Sequence, residues 1–230
     1  MKNIINEKPQ TYLSGRLKAS VDFVSEEDKK DKVILDIGCG YGWFELNTLN
    51  HNPQAIHACE ISDEDLETIK NNVHDKKIKI SVADATDLKF NKDMFDTVVC
   101  WEVIEHIPSN TEEKFFSEVN KVLKKGGSFY LSTPYDSILS KIFDPAYFLQ
   151  NHRHYSIKKL AQYGEAHGFV IEKIRMFGGY WLLLDIVNMY FSKWILRRSR
   201  LLKNIFDKNV NREYEKDNGF VNIFVKFRKK

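Results

Sequence analysis

The chain has little cysteine, almost no net charge and no apolar run long enough to cross a bilayer, and each shortage removes a class of protein. Its three cysteines, Cys39, Cys59 and Cys100, show no C-x-x-C spacing and fall at or just after predicted strand ends. That pattern argues for free thiols in a reducing, cytoplasmic setting and against a disulfide scaffold or zinc module. With 35 basic residues against 32 acidic ones the formal charge is only +3, which leaves no global field to attract nucleic acid. The opening residues from Met1 to Pro9 hold no long apolar segment, so no signal peptide is expected. The hydrophobic stretch after Gly178 is interrupted by Asp185, Asn188, Lys193, Arg197 and Arg198, well short of the ~20 apolar residues of a membrane span. What remains is 230 residues, 43% of them hydrophobic, which suits one domain over 1–230 with an appended element.

What is present starts with Val33-Ile34-Leu35-Asp36-Ile37-Gly38-Cys39-Gly40-Tyr41-Gly42, an apolar strand running into an acid and three alternating glycines. Glycines let a backbone turn tightly and approach a ligand that any Cβ would push away, and the helix that follows offers unpaired N–H groups. A dinucleotide fingerprint would need a third small residue where Trp43 stands, and no Lys-Ser or Lys-Thr follows the last glycine to make a triphosphate loop. A second strand from Gln54 to Cys59 ends at Glu60, with Ile61 beside it, and an acid there can accept both hydrogen bonds of a ribose diol. A third, Ile78 to Val82, leads into Ala83-Asp84-Ala85-Thr86-Asp87-Leu88. A fourth, Phe95 to Cys100, ends at Trp101-Glu102.

The D-x-G-x-G-x-G spelling resembles motif I of class I S-adenosylmethionine (SAM) methyltransferases. The resemblance implies that Asp36, Gly38, Cys39 and Gly40 hold the methionine half of SAM and Glu60 and Ile61 the ribose. It implies that Asp84 and Ala85 take the adenine and that Trp101 closes the site. The same acids also cap turns in proteins without any ligand. Residues 1–32 form a lead-in, with a helix from about Pro9 to Phe23 that puts Tyr12 and Arg16 at the cofactor rim. Helices are read over Asp63 to His74, over Thr111 to Lys125 with Gly126-Gly127 as its C-cap, and over Ser156 to His167. Three more strands, Ser128 to Thr133, Phe169 to Met176 and Phe220 to Phe227, complete an α/β fold. Its form is a doubly wound, seven-stranded, mostly parallel Rossmann-like sheet.

On the acceptor side, the chain has no Asn-Pro-Pro-aromatic run of the kind used by amino-group methylases. It has Trp101-Glu102-Val103-Ile104-Glu105-His106 instead, which resembles the ubiquinone-pathway O-methyltransferases and the enzymes that methylate 2′-hydroxyls at small-RNA 3′ ends. In both groups the matching residues are associated with a divalent metal. Glu102, Glu105 and His106 stand at i, i+3 and i+4, one face of a helical turn, and would suit Mg²⁺ or Mn²⁺. The bland alternative is that Glu105 and His106 only cap or pack. His152 or His154 would complete the site or act as general base, with His106 a further catalytic candidate. The RNA group continues into Phe-Glu-Trp where this chain has Tyr155-Ser156-Ile157, a departure that weighs against RNA.

Residues 178–219 separate the last two strands by far more than the usual connection. Tyr180, Leu184, Val187, Phe191 and Trp194 recur at helical spacing there, with Lys193, Arg197, Arg198, Arg200 and Lys203 close by. Two readings stay open: a helical lid packed on the domain or on a second subunit of a homodimer, or a membrane-surface element over 180–205 that makes the protein peripheral. The expected activity is O-methylation of a small-molecule or lipid-like acceptor. An RNA ribose 2′-O-methyltransferase and a SAM-binding interaction protein without catalysis are the alternatives.

Overall fold

The computed structural model describes residues 13–144, 147 and 152–230. Its centre is a seven-stranded sheet of order β3-β2-β1-β4-β5-β7-β6. The strands are β1 (Val33–Ile37), β2 (Ala55–Glu60), β3 (Ile78–Val82), β4 (Phe95–Trp101), β5 (Leu123–Pro134), β6 (Phe169–Phe177) and β7 (Asn222–Lys229). Only β7 runs against the others, pairing antiparallel with both β5 and β6. The doubly wound, mostly parallel sheet expected from the strand and helix alternation is therefore present. Helices α1 (Gly15–Phe23), α2 (Trp43–Thr48), α3 (Asp63–Asn72), α4 (Glu112–Val122), α5 (Ile138–Phe143), α6 (Ile157–Ala166), α7 (Tyr180–Trp194) and α8 (Lys203–Tyr214) surround it.

Central strands are buried on both faces, so they read as continuous apolar runs: Ile34 and Leu35 in β1 and Val98 and Val99 in β4 are fully enclosed. Helix α4 lays Phe115, Phe116, Val119 and Val122 on this sheet, where Phe116 meets the rings of Phe129 and Phe227. It stops at Val122, before the Gly126-Gly127 pair expected to cap it, because Leu123 already pairs with Phe95 as the first residue of β5. Gly126, at φ +73°, makes the excursion in that strand, and a Cβ on Gly127 would lie 2.9 Å from the Asp96 carbonyl. The lead-in helix begins at Gly15 among the described residues, and Tyr12 lies outside them.

Beyond β6 the chain forms α7 and α8. Helix α8 returns to the domain, where Tyr214 stacks on Phe177 and donates to Asn222 Oδ1 at 2.7 Å. Helix α7 buries Leu183 and exposes Tyr180, Leu184, Val187, Phe191 and Trp194 of its apolar residues. Its polar residues point in, since Arg200 pairs with both Asp185 and Asp207 beneath it.

Candidate active site

A cleft of about 580 Å³ opens at the carboxyl ends of β1, β2 and β4, where the strand order reverses between β1 and β4. Gly38, Glu60, Ile61, Asp84, Ala85 and Trp101 line it. Glu60 Oε1 accepts from the Gly40 amide at 2.7 Å, so one carboxylate oxygen braces the glycine loop. Burial pushes the Glu60 pKa up, and the Gly40 and Ile61 amides pull it partly back. Asp84 Oδ1 accepts from the Thr86 amide and hydroxyl at 2.7 and 2.8 Å, closing a turn through one of its two oxygens.

The loop glycines do different work. A Cβ on Gly38 would strike Val103 Cγ2 at 2.3 Å, and one on Gly42 would strike Ile69 and Val73, so both glycines serve packing. Gly40, at φ +54°, has no atom within 4 Å of where its Cβ would be, which leaves the space a close-lying ligand needs. The loop amides are engaged within the fold: Gly38 and Cys39 donate to the Cys59 carbonyl and Gly40 to Glu60. Asp36 and Cys39 do not reach the cleft either. Asp36 is buried beneath the loop beside Glu45, and Cys39 packs with Leu66 and Ile69. Burial and the neighbouring Glu45 raise the Asp36 pKa well above the carboxylate range, and burial pushes Glu45 up to about 7.

On the acceptor side, residues 102–107 form turns and not the helical turn expected, because Glu102 has φ +55°. That left-handed residue breaks the i, i+3, i+4 alignment and swings Glu102 away from Glu105 and His106. Its carboxylate is held by Arg16 at 2.7 Å, the Ser132 hydroxyl at 2.7 Å and Asn222 at 3.1 Å. Glu102 thus ties α1 to β5 and β7. Among the described residues, Glu105, His106 and His152 bring possible ligand atoms within 4.8 Å of one another, and Glu102 is not among them. The His106 and His152 rings lie 4.8 Å apart, and His152 Nε2 is 3.9 Å from Glu105 Oε1. Glu105 Oε1 is buried with no hydrogen-bond partner, while Oε2 accepts from the Thr133 hydroxyl at 3.0 Å. Both ring nitrogens of His154 are engaged, Nδ1 with Ser140 and Nε2 with Asp144.

Residues 10–174 match the model of a family described as a methyltransferase domain. The chain belongs to that family. It is a class I methyltransferase domain of the SAM-dependent kind, similar to phosphoethanolamine N-methyltransferase 2 of Caenorhabditis elegans, 31% identical over 153 residues, 62% of this chain and 33% of that protein. It is also similar to the ubiquinone biosynthesis O-methyltransferase of Pelagibacter ubique (strain HTCC1062), 30% identical over 121 residues, 52% of this chain and 49% of the relative. The chain thus spans a third to a half of the length of these curated relatives. The crystal structure of geranyl diphosphate C-methyltransferase from Streptomyces coelicolor A3(2) superposes with a TM-score of 0.66 at 16% identity, over 93% of this chain and 77% of that one.

Two supports of this methyltransferase's acceptor side carry no motif. Asp144 accepts from His152 Nδ1 and contacts His154 Nε2, each at 2.9 Å, which sets Nε2 of His152 toward Glu105. Arg153 donates to the carbonyls of Ile104 and Ile107, and the Tyr155 hydroxyl donates to Ile104 at 3.1 Å, so the 152–155 segment clamps the turn that bears Glu105 and His106. The only signal in the sequence was the alternation of His152 and His154, which puts two imidazoles within reach of one carboxylate. Burial and Glu102 raise the Glu105 pKa well above its ordinary value, whereas burial and His152 lower that of His106.

Proposed function

We propose that this methyltransferase moves the methyl group of SAM to a hydroxyl oxygen of an amphiphilic small molecule, beside a divalent ion held by Glu105, His106 and His152. The observation that carries the reading is Glu105 Oε1, a buried oxygen with no partner, facing His152 Nε2. One carboxylate and two imidazoles form a softer set than the all-oxygen shell Mg²⁺ prefers, so Mn²⁺ suits it better. Such an ion would gather neighbouring hydroxyls and lower their pKa. SAM, when bound, supplies an electrophilic methyl carbon. The protein's part is alignment: Glu60, Ile61 and Asp84 orient the nucleoside, and Trp101 and His106 wall the space where an acceptor oxygen lies. Asp144 keeps the lone pair of His152 Nε2 turned to the same place.

Oxygen as the acceptor atom is favoured by the likeness of the 101–106 run to ubiquinone-pathway enzymes, and the small net charge weighs against RNA. The test is transfer of labelled methyl from SAM to a panel of catechols, diol-bearing lipids, amines and short RNA, with Mn²⁺, Mg²⁺ or chelator. Label in a hydroxyl compound, raised by Mn²⁺ and lost in Glu105→Gln, supports the reading. Label in RNA or in an amine, or a rate untouched by chelator, overturns it. SAM binding without transfer to any of them points to the non-catalytic alternative.

A further inference from the structure

Helix α7 is apolar on its outward side as well as in part of its inward one. Inward, Leu183 is buried with Asp185 and Ser192, Leu182 packs on the core, Arg200 holds Asp185, and Asn188 Nδ2 donates to the Leu201 carbonyl at 2.8 Å. Outward lies a line of Tyr180, Leu184, Val187, Phe191 and Trp194, each between 40% and 65% exposed. A helix lying on a domain in water turns polar residues to the solvent instead. The apolar surface extends past the helix, to Ile138 and Ile142 of α5 and to Ile195 and Leu202 in the turn before α8. Leu202, at φ +47°, starts α8 by accepting from the Ile205 and Phe206 amides, and its side chain is 67% exposed.

A surface of this breadth marks an interaction site, and its charge says with what. Lys193, Arg197, Arg198 and Lys203 are exposed beside it, and among the described residues none of the four is in an ion pair. The acids on these elements are already engaged, Asp185 and Asp207 by Arg200, Asp136 by Lys141 and Glu213 by the Gly179, Trp181 and Leu182 amides. The occupant therefore offers apolar depth at its centre and negative charge at its edge. A second copy of the chain would bring the same cations to the same apolar line across a twofold axis. A bilayer with anionic headgroups supplies both features, and no helix among the described residues is long and apolar enough to cross it.

We infer that the outward face of α7 docks on anionic membrane surfaces, with its aromatic and aliphatic line among the acyl chains and the four cations at the headgroups. The helix packs against α5, whose C-terminal Asp144 holds His152 on the acceptor side of the cleft. Docking does not depend on which acceptor is methylated. The test is sedimentation of the full chain with phosphatidylcholine vesicles, with and without about a quarter phosphatidylglycerol. Binding to the anionic vesicles with a blue shift of tryptophan fluorescence is expected. Phe191→Glu and Trp194→Glu lower that binding about tenfold or more. Replacing Arg197 and Arg198 by Gln lowers it about fivefold for each charge removed, as does added salt in the same direction. If a glutamate variant misfolds by circular dichroism, the arginine pair and the unaltered chain's fluorescence still decide. A chain that stays in the supernatant overturns the inference, as does binding equal in all variants. So does a solution dimer that Phe191→Glu splits, since a second copy then covers the face.

Discussion

Replacing Glu60 should separate ligand binding from folding, because its carboxylate affects the two with opposite sign. One oxygen accepts from the Gly40 amide at 2.7 Å, and the residue lines the cleft, where a ribose diol would donate to its carboxylate. A hydrogen bond to a charged group contributes about 1.5–3 kcal/mol. Glu60→Ala should therefore weaken SAM binding roughly 10- to 100-fold. For the empty protein the sign reverses. Burial raises the folded pKa of Glu60 above its unfolded value, so the folded state favours the protonated acid and ionisation at neutral pH opposes folding. Glu60→Gln removes that opposition while leaving an acceptor for Gly40. Calorimetric titration with SAM and thermal unfolding without it measure the two effects. We expect a 10- to 100-fold rise in Kd for Glu60→Ala and, for Glu60→Gln, an unfolding temperature at about pH 7.5 no lower than that of the parent. Binding by Glu60→Ala within about twofold of the parent would refute the ribose role. An unfolding temperature lowered by several degrees in Glu60→Gln would make the residue a brace of the glycine loop and nothing more.

Gly38→Ala should cost about 1–3 kcal/mol from the clash with Val103 beyond the left-handed strain, while Gly40→Ala bears only that strain, about 1 kcal/mol. Chemical denaturation orders the two, and Val103→Ala should rescue the first. Glu45 has a folded pKa pushed up to about 7, so unfolding temperature should fall as pH rises from about 4.5 through 7, and Glu45→Gln should flatten that slope. A pH series of melts at constant ionic strength checks it. Glu102→Gln should destabilise the protein by about 1–3 kcal/mol through lost contact with Arg16 yet keep any Mn²⁺ stimulation, whereas Glu105→Gln should abolish the stimulation with little loss of stability. Comparing both variants by denaturation and by rate against Mn²⁺ distinguishes a structural carboxylate from a ligating one.

The cofactor side was legible because its signals are local. A parallel strand buried on both faces is an apolar run, and the residue after its carboxyl end is where a ligand lies, so Glu60, Asp84 and Trp101 could be placed from their neighbours alone. Even there, a single letter hid its cause. Gly38, Gly40 and Gly42 look alike in the motif, but only the three-dimensional positions of Val103, Ile69 and Val73 reveal that two of them exist for packing. Asp36 looked like a ligand residue for the same reason, and lies beneath the loop beside Glu45.

The acceptor side and α7 were illegible for a different reason, which is that periodicity gives spacing but not direction. The i, i+3, i+4 arrangement of Glu102, Glu105 and His106 assumes helical dihedrals; with a positive φ at Glu102 that carboxylate meets Arg16, and it is His152, 50 positions from Glu102, that comes close to Glu105 and His106. In α7 the spacing of Tyr180, Leu184, Val187, Phe191 and Trp194 was plain but its direction was not: Leu183 is buried, and these five are exposed. What decides the direction is the competing stripe: Asp185, Asn188 and Ser192 find Arg200 and the Leu201 backbone inside, and a buried acid with a bidentate-capable cation cannot be turned to lipid without stranding the charge. The polar partners fix which side is in, and the apolar side is left for whatever covers it. An Arg200→Leu variant would remove that lock, and loss of order in α7 with the rest of the sheet intact, read by hydrogen exchange, is the expected result. Protection of α7 unchanged from the parent would mean that its apolar side is held by something other than the Asp185 and Arg200 pair.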